Sequence, residues 1–101
     1  MKSIKNDLSI CDGKECHILF YFTANWCGPC KKIKPLIEAI SDGADENKLE
    51  VYMVDIDENE EFVNKLKVKN VPNFYLFHKN ELKGNCSGAD INKVKDLLSK
   101  I

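Results

Sequence analysis

Phe22-Thr23-Ala24-Asn25-Trp26-Cys27-Gly28-Pro29-Cys30-Lys31 joins the end of an apolar run to the start of a helical pattern. Upstream, His17-Ile18-Leu19-Phe20-Tyr21-Phe22 is apolar and aromatic without strict alternation, as a central strand buried on both faces reads. Downstream, Ile33, Leu36, Ile37 and Ile40 recur at helical spacing, while Lys31, Lys32, Lys34 and Glu38 take the other side. A helix is therefore expected from about Cys27 to Ile40. Pro35 lies inside it and should kink it, since proline removes one hydrogen bond and clashes with the preceding turn. Cys27 and Cys30 then share one helix face. They also lie near the unpaired N–H groups and positive dipole end of that helix, which favour a thiolate. A pair so placed can close into a small disulfide and be opened again, so the stretch points to redox chemistry.

Strands and helices alternate along the rest of the chain. Residues 2–5 suit a short edge strand, and Asn6 or Asp7 could cap a brief helix ending before Asp12-Gly13. Ser41 to Asp45 reads as a loop and Leu49 to Ile56 as a second apolar, β-branched strand. Asp57 is placed to cap the next helix, with Glu58, Glu60 and Glu61 complementing its dipole and Phe62, Val63 and Leu66 facing the core. Val71 to Phe77 is a third strand, opened by Pro72. Lys79-Asn80 makes a tight turn into a fourth strand near Glu81–Cys86, and Asp90 caps a last helix with Ile91, Val94, Leu97, Leu98 and Ile101 on one side. Helices between strands imply a parallel portion and the hairpin an antiparallel one. An α/β chain with a mixed sheet covered on both faces follows.

The 101 residues suit one compact domain, 1–101, large enough for a single core without staples. A net charge of −1 gives no global attraction to nucleic acid or an anionic membrane. All 15 basic residues are lysine, so bidentate recognition of bases or phosphates by arginine is not available. Met1 to Asp7 lacks the apolar core of a signal peptide, and the longest apolar run, Ile18 to Phe22, is far shorter than a membrane span. The expected address is an intracellular, reducing one, the cytoplasm. There, five cysteines do not suggest a structural disulfide framework.

The W-C-G-P-C motif between a buried strand and a helix carrying Pro35 resembles the active-site segment of the thioredoxin family. Val71-Pro72 before a strand resembles that family's cis-proline loop. Ser87-Gly88-Ala89 before the last helix resembles its final strand-to-helix turn. The likeness runs over about residues 4–101 and implies a thioredoxin-like fold, with a mixed four- to five-stranded sheet flanked by helices on both faces. It implies that Cys27 is the exposed attacking thiolate and Cys30 the shielded resolving thiol, the two forming the redox disulfide. Trp26, Gly28, Pro29, Val71, Pro72 and Gly88 would form the docking surface, with main-chain groups of Val71 pairing with an extended substrate segment. Gly28-Pro29 is the dipeptide of reducing members, whereas isomerases and oxidases usually carry a histidine there. The implied activity is reduction of disulfide-containing proteins by a monomer without bound cofactor, recharged from NADPH through a thioredoxin reductase. Two other readings are a thioredoxin-fold binding or scaffold subunit and a disulfide oxidase or isomerase.

The pattern is broken at three positions. Asn73 stands where the family usually has threonine after the cis-proline. Tyr21 and Met53 stand where it typically has a buried aspartate and a lysine or glutamate on the next strand. Both charges are missing together, and one left alone would be costly to bury; Tyr21 and Met53 read as core filling.

Cys11 and Cys16 with Cys27 and Cys30 have a spacing that zinc could use, but the strand at His17–Phe22 would have to bend back within the knuckle, and no metal is expected. Cys11, Cys16 and Cys86 read as isolated thiols, Cys86 as buried filling. His17 reads as a strand-edge residue and His78 as solvated at a turn. The lysines at 31, 32 and 34 read as a solvated helix face. Trp26 beside the nucleophile is expected to face substrate.

Overall fold

The computed structural model describes residues 1–7 and 9–101. Along these run β1 (Lys2–Ser3), β2 (His17–Thr23), α1 (Gly28–Gly43), β3 (Leu49–Asp55), α2 (Glu60–Leu66), β4 (Asn73–His78), β5 (Glu81–Ser87) and α3 (Ile91–Leu98). The sheet order is β1-β3-β2-β4-β5. β3 pairs in parallel with β1 and β2, whereas β4 pairs antiparallel with β2 and β5. This is the mixed five-stranded sheet of a thioredoxin-like fold.

β2 lies at the centre, and its apolar run is explained by burial on both faces. Leu19 and Tyr21 point into a cluster with Ile33 and Ile37 of α1 and Val94 and Leu97 of α3. Ile18, Phe20 and Phe22 point the other way, against Phe62 of α2 together with Cys11 and Cys16. Burying each such side chain contributes about 1.5–3 kcal/mol, which locks the strand's register.

Several boundaries differ from the sequence expectation. The first strand is only Lys2–Ser3, and residues 9–13 are turns rather than a brief helix; Leu8, which that helix would include, lies outside the described residues. α1 runs through the expected loop to Gly43 because Ile40 and Ala44 pack on the core and the Ala44 N–H closes the last turn onto the Ser41 carbonyl. Pro35 is accommodated inside it. Asp57 is not the cap of α2: Asn59 holds that position. β4 begins at Asn73, after Pro72, which has no N–H to give to a ladder. Lys79 and Asn80 take φ values of 52° and 65°, the left-handed pair of a two-residue hairpin. The Asp90 carboxylate accepts from the Asn92 N–H at 2.9 Å and caps α3 as expected. Ile101, in contrast, lies beyond the helix end and is 46% exposed. Gly84 of β5 makes room for α3, since a Cβ there would stand 2.9 Å from Leu97 Cδ1.

The candidate dithiol site

β2 delivers the chain at its carboxyl end, and a turn closed by the Cys27 N–H on the Ala24 carbonyl (3.1 Å) redirects it into α1. Cys27 is the N-cap, with φ −93° and ψ 108°. Its Sγ accepts from the Cys30 N–H at 3.2 Å and its carbonyl from the Lys31 N–H at 3.3 Å. Pro29 sits in the first turn, where a missing N–H costs nothing. Cys27 and Cys30 are joined in a disulfide, with Cα atoms 5.3 Å apart. The sulfur nearer the helix end has the positive dipole end and unpaired N–H groups beside it, a setting that stabilises a thiolate once the bond is opened.

Exposure divides the pair less sharply than the resemblance implies. Cys30 is fully buried, but Cys27 is only 5% exposed, so it is not the open thiol expected. Ala24, Ile56 and Val71 pack around both residues.

The other site residues converge from separate elements. The Val71–Pro72 bond is cis. The Pro72 carbonyl accepts from the Gly88 N–H at 3.0 Å, which brings the turn before α3 to the same end of the sheet. Gly88 has φ +94°, a conformation that glycine adopts without steric cost. On the other side Trp26 is 67% exposed, and its indole N–H donates to Asp57 Oδ2 at 3.1 Å. Gly28 and Pro29 are exposed. Asn73 is buried; its side chain donates to Asn70 Oδ1 and accepts from the Phe74 N–H.

Three roles escape a reading of the sequence. Asp57, placed there as a helix cap, is the partner of Trp26. Asn59 is fully buried and ties Asn6, Ile4 and Asp55 together through its side chain. Tyr21 does more than fill the core: its hydroxyl donates to the Cys30 carbonyl at 2.7 Å. An acidic run around residues 57–61 disguises the first two, and an apolar run disguises the third.

Cys11 and Cys16 lie in the cluster against α2, apart from the one holding Cys27 and Cys30, so the four sulfurs do not converge on a metal. Among the described residues no group of three or more His, Cys, Asp or Glu is placed to hold a metal ion, and no helix is long and apolar enough to cross a membrane. Burial pushes the Cys11, Cys16 and Cys86 thiols up, aided by Asp12 at Cys11 and Glu50 at Cys16. They are poor nucleophiles at neutral pH. Cys86 is half-buried rather than buried. His78 is the last residue of β4 rather than part of the turn, and is half-buried: it stacks on His17 at 4.1 Å between ring centroids and its Nε2 lies 3.1 Å from the Glu15 carbonyl.

Comparison with known proteins bears on this arrangement. The family model described as Thioredoxin matches residues 5–101. The chain is 39% identical over 85 residues to thioredoxin O1, mitochondrial, of Arabidopsis thaliana, a match covering 82% of the chain and 43% of that protein. It is 32% identical over 83 residues to a thioredoxin of Malassezia sympodialis, covering 82% of the chain and 79% of that protein. Among solved structures, Plasmodium falciparum thioredoxin superposes with a TM-score of 0.89 at 29% identity, over 99% of this chain and 98% of that one.

Proposed function

The chain belongs to the thioredoxin family of thiol–disulfide oxidoreductases, and we propose that it reduces the disulfides of partner proteins through Cys27 and Cys30. The observation that carries this reading is the redox pair itself: a disulfide closed at the start of α1, both cysteines buried, with Val71 of the cis Val71–Pro72 bond packed against them. In the reduced protein the Cys27 thiolate attacks one sulfur of a substrate disulfide. A Cys27–substrate bond forms, the substrate S–S bond breaks, and the electron pair leaves on the second substrate sulfur, which takes a proton from water. Cys30 then gives up its proton, bonds to Cys27 Sγ and expels the first substrate sulfur as a thiolate. Two electrons have passed to the substrate and the pair is again the disulfide described above.

Val71 and Pro72 form one wall for an extended substrate segment, and Trp26, Gly28, Pro29 and Gly88 the rest of the docking surface. Gly28-Pro29 supports the reducing direction. The cycle closes when an NADPH-dependent reductase returns two electrons to the pair, so NADPH acts through a partner and not on this chain. The same proposal takes residues 1–101 as a single domain acting as a monomer in a reducing, cytoplasmic compartment. The three remaining free thiols support that address.

NADPH oxidation coupled through added thioredoxin reductase to a protein disulfide tests the proposal. Wild type should turn over, and Cys30→Ser should accumulate mixed disulfides at Cys27. Absence of turnover with a fully reducible pair would overturn it, and unchanged cellular function of a Cys27→Ser, Cys30→Ser protein would favour a scaffold.

A further inference from the structure

The geometry points to Tyr21 as the positioning residue for the resolving thiol, through its hydroxyl's hydrogen bond to the main chain of Cys30. This deepens the reductase reading and rests on it.

The hydroxyl belongs to the central strand and its acceptor to the first turn of α1, so this bond ties the dithiol turn directly to the sheet. The side chain is fully buried, and its ring lies against Phe74 of β4, centroids 5.3 Å apart and planes 10° from parallel. A ring clamped in that way has little freedom to aim its hydroxyl elsewhere. Burial pushes the hydroxyl's pKa above its ordinary value, partly offset by Thr23, so it remains a donor across the working pH range.

What the bond holds is the peptide between Cys30 and Lys31. The carbonyl of that peptide accepts from Tyr21, while its N–H donates to the Cys27 carbonyl at 3.3 Å. Polarisation runs in one direction through such a chain, each bond strengthening the next. The N–H of Cys30 meanwhile donates to Cys27 Sγ at 3.2 Å. Cys30 is thus fastened on both sides of its α-carbon, once to the outer sulfur and once to the sheet. When the disulfide is open, only such non-covalent ties keep the inner sulfur facing the outer one. A group that preorganises this turn raises the effective concentration of Cys30 toward Cys27, and therefore both the rate of resolution and the tendency of the pair to close.

Tyr21→Phe deletes only the hydroxyl. A buried neutral hydrogen bond is worth about 0.5–1.5 kcal/mol, roughly a threefold to tenfold effect if it favours the closed pair. The equilibrium constant for closing the disulfide against glutathione should fall by that factor, which makes the potential about 15–30 mV less reducing. Release of a thiol leaving group from a preformed Cys27 mixed disulfide should slow to a similar extent. Attack by Cys27, measured in a Cys30→Ser background, should change less than twofold. If Tyr21→Phe lowers the urea midpoint yet leaves the glutathione equilibrium and the resolution rate within twofold of wild type, Tyr21 is core packing and the inference is overturned. Should that variant not fold, 3-fluorotyrosine at position 21 keeps the ring and strengthens the donor. Resolution should then quicken, and an unchanged or slower rate overturns the inference. The glutathione equilibrium is a property of the pair alone, so it separates failure of this inference from a wild type that shows no reductase turnover.

Discussion

Replacing Asn59 by alanine should destabilise the protein far more than its place in an acidic, loop-like run suggests. Its side chain is fully buried and makes three hydrogen bonds: Oδ1 accepts from the Asn6 N–H, while Nδ2 donates to the carbonyls of Ile4 (3.1 Å) and Asp55 (2.8 Å). Alanine leaves one N–H and two carbonyls to find water. At about 1 kcal/mol per lost bond the loss is about 2–3 kcal/mol, allowing for partial hydration near the surface. For a chain of this size that lowers Tm by roughly 10–20 °C. Urea denaturation followed by the fluorescence of Trp26, the single tryptophan, measures both the loss and its local consequence. Asn59 holds the Asp55 carbonyl two residues before Asp57, so the native-state signal of Trp26 should also change. Asn59→Asp keeps the acceptor but discards both donors and sets a carboxylate beside two carbonyls; it should be no milder than alanine at pH 7. A loss under about 0.5 kcal/mol for alanine, or a benign aspartate, would refute the assignment of these bonds as the tie between the amino-terminal segment and the β3–α2 connection.

Trp26→Phe should leave stability within about 0.5 kcal/mol, since the ring is largely exposed, while kcat/KM for a protein disulfide falls roughly fivefold, the equivalent of about 1 kcal/mol of docking contact. Asp57→Ala should reproduce part of that fall; an unaltered kcat/KM in both would remove this edge from the docking surface. Burial, then the neighbouring His78 and Lys83, holds His17 below its ordinary pKa. The unfolded chain therefore binds a proton first, and stability should decline as pH drops below about 6.5, until the folded histidine also titrates. His17→Phe should flatten that decline in urea midpoints between pH 7 and 5, and an unchanged slope would refute it.

Features fixed by local chemistry were legible in the sequence. The uninterrupted run at β2 can be satisfied only between two layers, and Asp90 before an amphipathic segment is a cap wherever it lies. The Cys27–Cys30 disulfide and the cis Val71–Pro72 bond are found where the motifs put them, because those motifs carry their geometry with them. What was missed depends on partners distant in sequence. Asp57 has the chemistry of a cap, but the loop directs its carboxylate to the Trp26 indole and leaves the cap position to Asn59. Cys27 was expected in the open from the family resemblance; Val71 and Ile56, from two other segments, pack against it. Nothing local to Tyr21 distinguishes a ring that fills space from one whose hydroxyl reaches a carbonyl on the next element. His78 belongs to a turn by its neighbours in sequence and to a stack by its neighbour across the sheet.

The walls of the dithiol site are written late in the chain. Cys27 and Cys30 belong to its first third, whereas Val71, Pro72 and Gly88, and the strands that seat them, belong to its last third. A ribosome makes the sulfurs first, and at about 5–20 residues per second Gly88 follows Cys30 only several seconds later. Throughout that interval a nascent chain holds two thiols with no β4 to complete the sheet and no Val71 to pack against them. Selectivity toward other sulfurs is therefore acquired once β4 and the Gly88 turn have folded, not at the motif's emergence, and a chain truncated before residue 71 would carry the reactive pair without its restraint.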